Sequence, residues 1–389
     1  MPFLFRTLLL LVVAALGQLP VMAAPAMIPA PPQIAAKGYI LVDASTGNVI
    51  VEKNADARLE PASLTKMMTS YVADYELRNG TIHRDDMALV SERAWAKKFQ
   101  GSSLMFIEVG KQVAVSDLLK GVIISSGNDA SVALAEHIAG SEEAFADLMN
   151  QQAARLGLKS THFMNPHGLP DPEHYTTARD MATLARAIIR DFPEEYKLYS
   201  EKSYVYNNIS QINRNRLLWR DPSVDGLKTG HTESAGYCLV ASAVKNGTRL
   251  ISVVLGTSGD EARMTETQKL FAYGFRFYST IRAYAKNQKV QSVRIWSGEK
   301  ETVDLVVSQD LFLTIPTARK GDIKADLSVD KYIEAPVKKG QPLGKIQLSL
   351  DDKVLANVPV VAAEAVEEGG FFSGMIDSIE MMMEKMMSD

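Results

Sequence analysis

The stretch Pro61-Ala-Ser-Leu-Thr-Lys66 joins an extended segment to a long helical pattern over residues 64–79. Its proline ends the extended segment, and Ser63 falls at the predicted start of the helix. Lys66 follows three residues later, so the two side chains lie on one face of the helix. The spacing therefore predicts contact between a serine hydroxyl and a lysine amine.

Ser63 is a poor nucleophile unless a base takes its proton. A neutral Lys66 amine supplies that base if burial and nearby cations lower its pKa by about three units, or ~4 kcal/mol. The helix start also offers backbone N–H groups to a developing oxyanion. Ser-x-x-Lys recurs on or beside predicted strands, where residues three apart point to opposite faces, so these copies are not candidates: Ser242, Ser297 and Ser328.

A second motif, Ser126-Gly-Asn128, interrupts the apolar run 123–130 between helical patterns, and Ser-x-Asn occurs nowhere else in the chain. Small polar residues are unusual in a pure core, which favours a functional interpretation. The alternative is a helix cap, because serine and asparagine both cap helices well.

The third motif, Lys228-Thr-Gly230, also occurs once and leads toward a predicted strand over 237–244. A glycine beside a strand permits a ligand to approach the backbone closely. Lys228 can hold a carboxylate or tune a proton relay. The alternative is an ordinary solvated strand edge.

The composition excludes several classes of protein. The chain has 389 residues, 46 % of them hydrophobic and 23 % charged, and this composition excludes wholesale disorder. Its net charge of −4 lacks the basic excess that is typical of nucleic-acid-binding proteins. A single cysteine, Cys238, excludes an intramolecular disulfide and is expected as a small buried hydrophobe. The length suggests two or three domains.

The N-terminus has the pattern of a secretory signal peptide over residues 1–23. Arg6 precedes an apolar run over 8–16, which is too short to span a membrane, and Val21-Met-Ala23 supplies small residues for cleavage after Ala23. No cysteine lies at the cut, so a lipoprotein anchor is excluded. A Pro-rich leader over 24–36 follows. An N-terminal membrane anchor is the weaker alternative.

Residues 37–284 predict an α/β (α+β) catalytic domain whose sheet uses both ends of the segment. A hairpin signal comes first (38–43 and 49–52), and Asn246-Gly247 marks a second hairpin between strands 237–244 and 249–255. Between these hairpins and after the second, the patterns predict helices over 64–79, 118–139, 142–156, 178–189 and 268–278.

Residues 285–365 predict a small all-β domain. Turn clusters separate short alternating runs over 292–296, 303–307, 311–315, 323–329, 346–350 and 358–361. Residues 366–389 predict an amphipathic helix whose Met-rich apolar face suggests peripheral membrane contact through 371–387. Its charge is mostly acidic, which opposes an anionic surface, so packing on the β domain or pairing with a second copy stays an alternative.

The three motifs together, in chain order, match the set found in penicillin-binding proteins and class A β-lactamases. The chain resembles the serine D-alanyl-D-alanine carboxypeptidases of the low-molecular-mass penicillin-binding proteins, the penicillin-binding protein 5 type, over nearly its whole mature length. That resemblance implies a serine β-lactamase/transpeptidase-like catalytic domain with an antiparallel sheet and a helical subregion. Further stretches look like the same family: Asn165-Pro-His-Gly-Leu169, Asn213-Arg-Asn215 and Asp225-Gly-Leu-Lys-Thr-Gly-His-Thr232.

The resemblance implies that Ser63 attacks the terminal D-Ala-D-Ala bond of a peptidoglycan stem peptide and forms an acyl-enzyme, with Lys66 as general base. Ser126 and Asn128 shuttle protons and hold the substrate amide, and Lys228 supports them. Penicillins mimic the substrate and trap Ser63. The implied substrate-binding residues are Thr229, Gly230, His231, Arg263 and Arg214, with backbone N–H groups of Ser63 and His231 as the oxyanion hole.

The implied location is the periplasm, on the outer face of the inner membrane. Two other functions stay open: a β-lactamase, for which the loop residue Glu173 lacks the usual context, and a non-catalytic cell-wall scaffold. No cofactor or metal is expected, because no His-Glu-x-x-His spacing occurs among His83, His137, His162, His167 and His174.

Overall fold

A computed structural model describes residues 28–370, 377, 380–383 and 386. The predicted signal peptide and the start of the Pro-rich leader lie outside these residues. Among the described residues, no helix combines the length and apolar character that a membrane crossing needs.

The N-terminal two thirds of the described chain are built on a five-stranded antiparallel sheet. Its strands are β1 (Gly38–Asp43), β2 (Val49–Lys53), β7 (Val224–Thr232), β8 (Gly236–Lys245) and β9 (Thr248–Thr257). They lie in the order β2-β1-β9-β8-β7, so the first and last parts of this region both contribute strands, as the sequence predicts.

The hairpin between β8 and β9 closes where Lys245 pairs with Thr248, so Asn246 and Gly247 form a two-residue turn. Both have positive φ, 50° and 77°, which is the backbone that asparagine and glycine adopt most readily. The sequence therefore specified this hairpin and its register.

Helices cover both faces of the sheet. Successive residues of a strand point to opposite faces, and here both sets are apolar and pack against helices. Ile40 and Ile251 lie in one core cluster with the helix Ala178–Asp191. Their chain neighbours Leu41 and Leu250 instead meet the helix Asp260–Phe277 at Gly274, where an added Cβ would lie 2.5 Å from Leu250. The helix predicted over 268–278 thus begins eight residues earlier, at Asp260.

A helical subregion packs beside the sheet around buried residues such as Met67, Leu134 and Phe145. Its main helices are Lys66–Asn79, Asn128–Ala139 and Glu142–Leu156. Smaller elements complete it: the 3₁₀ turns Ala62–Thr65, Ala96–Phe99 and Glu195–Ser200, the short helix Leu217–Arg220, and the hairpins β3 (Met87–Leu89) with β4 (Gln112–Ala114) and β5 (Ser203–Tyr206) with β6 (Ile209–Ile212).

The single helix predicted over 118–139 is wrong. The chain forms a helix over Val115–Lys120, widens into a π turn over Gly121–Ser125, and reverses at Ser126, whose φ of 64° is left-handed. A new helix starts at Asn128 after Gly127, and no side chain caps it. The helix-cap interpretation of the Ser126 motif is therefore also wrong.

The C-terminal part is all-β. Strand β10 (Tyr278–Tyr284) pairs with β13 (Leu311–Pro316). A second five-stranded antiparallel sheet has the order β11-β12-β16-β15-β14, and its core includes Leu305, Ile346 and Val360. Its strands are β11 (Lys289–Arg294), β12 (Thr302–Val307), β14 (Ile323–Val329), β15 (Pro342–Leu350) and β16 (Lys353–Ala362), and a 3₁₀ turn spans Thr317–Asp322. The predicted boundaries of the domains stay predictions.

Acidic side chains near the C-terminus face the β-rich domain. Arg294 donates to the carboxylates of Asp377 at 3.2 Å and Glu380 at 2.9 Å, and the Ser297 N–H donates to Asp377 at 2.9 Å. Three methionines are exposed: Met382, Met383 and Met386. Most of the predicted amphipathic helix lies outside the described residues.

Candidate active site

Ser63 lies in a tight turn between Pro61 and the helix that begins at Lys66. The residue before it, Ala62, has a left-handed φ of 47°. The Thr65 hydroxyl donates to the Ala62 carbonyl at 2.8 Å, which fixes this strained peptide next to the nucleophile.

His174 holds Thr65 in turn. The Met164 N–H donates to His174 Nδ1 at 2.9 Å, so the proton lies on Nε2, which is 2.7 Å from the Thr65 hydroxyl. Burial lowers the pKa of His174 to about 4, so the ring is neutral at pH 7. A chain of hydrogen bonds thus runs from a buried imidazole to the nucleophile turn.

Lys66 is completely buried, and its amine touches three oxygen atoms. Nζ lies 2.7 Å from Asn128 Oδ1, 2.6 Å from the His167 carbonyl and 3.2 Å from Ser63 Oγ. The two short contacts can take both protons of a neutral amine. The lone pair then faces the Ser63 hydroxyl, which is the geometry that a general base needs.

Burial lowers the pKa of Lys66 to about 7, and the Asp129 carboxylate opposes this shift. Asp129 is itself buried and accepts hydrogen bonds from the backbone N–H groups of Met105 and Phe106, both at 2.8 Å. At neutral pH a large share of Lys66 is therefore uncharged and able to accept a proton.

Ser126 and Lys228 form a second serine–lysine pair. Lys228 Nζ donates to Ser126 Oγ at 2.8 Å and to the Thr229 carbonyl at 2.9 Å. The pKa of Lys228 is held well below its usual range, first by burial and then by neighbouring cations. The left-handed backbone at Ser126 turns this hydroxyl out of the helical path, where Lys228 can reach it.

Strand β7 forms the opposite wall with Thr229, Gly230 and His231. Lys228 and Thr229 are buried, so the solvated-edge interpretation of this motif is wrong. A Cβ at Gly230 would lie 2.9 Å from the Pro61 carbonyl, so this position requires glycine. Beyond the strand, Arg263 donates to the Gly230 carbonyl at 3.1 Å.

A cleft of about 590 Å³ opens between these walls. Lys66 and Lys228 lie buried behind it. No group of three or more His, Cys, Asp or Glu side chains suited to a metal occurs in the part of the chain that the structure describes. The other eight predicted site residues line the cleft: Ser63, Ser126, Asn128, Arg214, Thr229, Gly230, His231 and Arg263.

The segment around His167 and Gly168 also lines the cleft. The stretch 165–169 resembles the family in sequence, but the sequence predicted no role for it. The peptide carbonyl of His167, rather than its ring, binds Lys66. A Cβ at Gly168 would lie 1.8 Å from the Ala62 carbonyl, and its φ is +89°, so this glycine lets the segment pack on the nucleophile turn. Metal-ligand spacing carries no information about either contact, so the sequence did not predict the roles of His167 and His174.

Comparison with known proteins identifies the family. Residues 25–259 match the model for D-alanyl-D-alanine carboxypeptidase, and residues 278–368 match the model for the penicillin-binding protein 5 C-terminal domain. The chain belongs to the D-alanyl-D-alanine carboxypeptidase family. The resemblance inferred from the three motifs is thereby confirmed.

Individual members of the D-alanyl-D-alanine carboxypeptidase family are similar over most of this chain. The carboxypeptidase DacA of Escherichia coli K12 is 45 % identical over 361 residues, which is 92 % of this chain and 90 % of the relative. The crystal structure of penicillin-binding protein 5 from Haemophilus influenzae has a TM-score of 0.83 and 46 % identity, covering 87 % of this chain and 100 % of that one. The carboxypeptidase DacD of Francisella tularensis has a TM-score of 0.73 and 35 % identity, covering 92 % and 98 %. The expected fold, a transpeptidase-like domain followed by a β domain, is confirmed.

Proposed function

We propose that the protein hydrolyses the terminal D-Ala-D-Ala bond of peptidoglycan stem peptides through an acyl-enzyme on Ser63. The observation that carries this proposal is the Lys66 amine, whose Nζ lies 3.2 Å from Ser63 Oγ while two shorter hydrogen bonds can take both protons of its neutral form. Family membership supports the substrate, because the relatives are named for this activity.

In the acylation step, Lys66 takes the proton as Ser63 Oγ attacks the penultimate D-Ala carbonyl. The N–H groups of Ser63 and His231 stabilise the oxyanion. The peptide C–N bond then breaks, and the departing D-Ala nitrogen receives the proton that Lys66 took from Ser63. This proton passes through the Ser126 hydroxyl, which Lys228 holds at 2.8 Å, and Lys66 is neutral again. Asn128 orients both Lys66 and the substrate amide.

In the deacylation step, water attacks the Ser63 ester, Lys66 removes the water proton, and the Ser63 hydroxyl is restored. The products are free D-Ala and a stem peptide one residue shorter. Thr229 and Arg263 bind the terminal carboxylate, with Arg214 at the rim. Penicillins carry a strained amide and a carboxylate, so they acylate Ser63 by the same route, as expected for a penicillin-binding protein.

The two other functions have less support. A β-lactamase needs a loop residue that activates the deacylating water, whereas Glu173 is exposed and does not line the cleft. It also has no use for a second domain. A scaffold has no need for two buried lysines, because their desolvation destabilises the fold, and strongly perturbed buried groups of this kind are typical of catalytic sites.

We infer further that the chain is exported to the periplasm and contacts the inner membrane peripherally. The signal-peptide pattern supports export. Exposed Met382, Met383 and Met386 support apolar contact, and the pairing of Asp377 with Arg294 removes part of the acidic charge that opposes it. Sedimentation with phosphatidylethanolamine/phosphatidylglycerol vesicles tests this: residues 24–389 should bind and 24–370 should not, and equal binding would refute it.

The direct test of the activity is D-Ala release from a synthetic pentapeptide ending in D-Ala-D-Ala. The wild-type chain should release one D-Ala per peptide, and Ser63→Ala should release none. Ser292→Ala, in the β-rich domain, is the matched control and should keep full activity. Release by Ser63→Ala at the wild-type rate would overturn the proposal.

A further inference from the structure

Arg263 has few donors left for a ligand. Nη1 donates to the carbonyls of Gly230 at 3.1 Å and Cys238 at 3.4 Å, and Nη2 donates to Asp260 Oδ1. Nε is buried without a hydrogen-bond partner. The edge of the guanidinium that can take a carboxylate with two parallel hydrogen bonds is therefore Nε with Nη2, and Asp260 already occupies half of it.

Asp260 lies between two arginines of different exposure. Arg263 has 9 % of its side chain exposed, whereas Arg216 has 62 %. Asp260 Oδ2 lies 3.8 Å from Arg216 Nη1. Arg216 lines a separate surface hollow and not the cleft, and Asp260 connects it to Arg263, which does line the cleft. A small rotation of the Asp260 carboxylate would move it from Arg263 to Arg216.

We propose that Asp260 is a specificity-determining residue: it occupies the Arg263 edge that a substrate carboxylate needs, and it moves to Arg216 when that carboxylate binds. This inference rests on the proposed function, in which Arg263 binds the terminal carboxylate. No bond is made or broken in the exchange, and the net charge around Arg263 is the same before and after.

The exchange has a physical reason. Two carboxylates on one guanidinium edge repel each other in a partly buried site, where the repulsion is weakly screened. Without Asp260, the buried Arg263 charge and its unbonded Nε would lack a counter-ion in the empty enzyme. Asp260 therefore neutralises Arg263 at rest and competes with every carboxylate ligand. A ligand must be anionic to displace Asp260 from Arg263, so this exchange favours substrates with a free C-terminal carboxylate.

The test measures KM and kcat for the pentapeptide and the second-order rate of acylation by benzylpenicillin and by its methyl ester. Asp260→Asn removes the competitor and keeps a residue that suits a helix start. It should lower KM about two- to fivefold with kcat changed less than about twofold, consistent with the loss of one partly exposed ion pair. Acylation by benzylpenicillin should accelerate similarly, and acylation by the ester should not.

Arg216→Gln removes the second position of Asp260 and should raise KM about threefold, but should have no effect in the Asp260→Asn background. Glu261→Gln is the matched control, since Glu261 pairs with the exposed Arg220. A higher KM in Asp260→Asn, an equal effect on acid and ester, or additive effects in the double variant would overturn the proposal. Failure of the proposed function is distinct, because the wild-type chain would then show no acylation at all.

Discussion

The pH dependence of Ser63 acylation follows from the environment of Lys66. The base must be neutral, and burial lowers the pKa of Lys66 to about 7. The neutral fraction is then about 9 % at pH 6 and about 91 % at pH 8. The rate of acylation by benzylpenicillin should therefore rise about tenfold between these values and level off above pH 8. An unperturbed lysine would instead give a rate still rising at pH 9.

The assay is stopped-flow or quenched mass spectrometry of the adduct at constant ionic strength. The pKa of Lys228 is also held well below its usual range, first by burial and then by the neighbouring cations. Burial also lowers the pKa of His167 from its ordinary value of 6.5. Lys66→Arg keeps the positive charge but has no neutral form at these pH values, so it should lose about 10²–10⁴-fold in rate. A flat profile, a rate that falls with pH, or an active Lys66→Arg would refute the reasoning.

Three other perturbations test the structure around the nucleophile. His174→Phe removes the donor to Thr65 and should slow acylation about tenfold with little change in KM, whereas His174→Gln, which keeps an N–H donor, should recover part of the rate. Gly168→Ala places a Cβ 1.8 Å from the Ala62 carbonyl and should lower the free energy of unfolding by more than about 3 kcal/mol in urea; Gly110→Ala, also at positive φ but with nothing within 4 Å, should lower it by only about 1 kcal/mol. Asp129→Asn weakens charge-assisted hydrogen bonds from four backbone N–H groups and should destabilise the fold by about 2–4 kcal/mol in the same assay. Unchanged acylation in His174→Phe, equal losses in the two glycine variants, or a wild-type urea midpoint in Asp129→Asn would contradict these expectations.

The sequence predicted those features that depend on residues close together in the chain. A two-residue hairpin turn requires positive φ at both central positions, and asparagine and glycine are the residues that adopt it most readily, as Asn246 and Gly247 do. The alternation of apolar residues located β14 at Ile323–Val329 without error. The Ser63-x-x-Lys66 spacing at a helix start likewise predicted one hydrogen-bonded pair, and the structure has its two atoms 3.2 Å apart.

The sequence did not predict features that depend on distant segments. The helical pattern over 118–139 is interrupted because Asp129 and Asn128 bond to the segment 102–107, more than twenty residues earlier. Position 168 requires glycine because the Ala62 carbonyl, distant in sequence, packs against it and leaves no space for a Cβ. No spacing rule links His174 to Thr65, 109 residues apart. Local periodicity carries no information about such contacts.

Intact-mass spectrometry of the mature chain with benzylpenicillin tests the central claim, that Ser63 activated by Lys66 is the nucleophile of a penicillin-binding acyltransferase. The account predicts an adduct that lasts minutes, maps to Ser63 and is absent from Ser63→Ala. Rapid loss of the drug without a lasting adduct would indicate a β-lactamase instead. No adduct with the drug intact, or an adduct that persists in Ser63→Ala, would contradict the account.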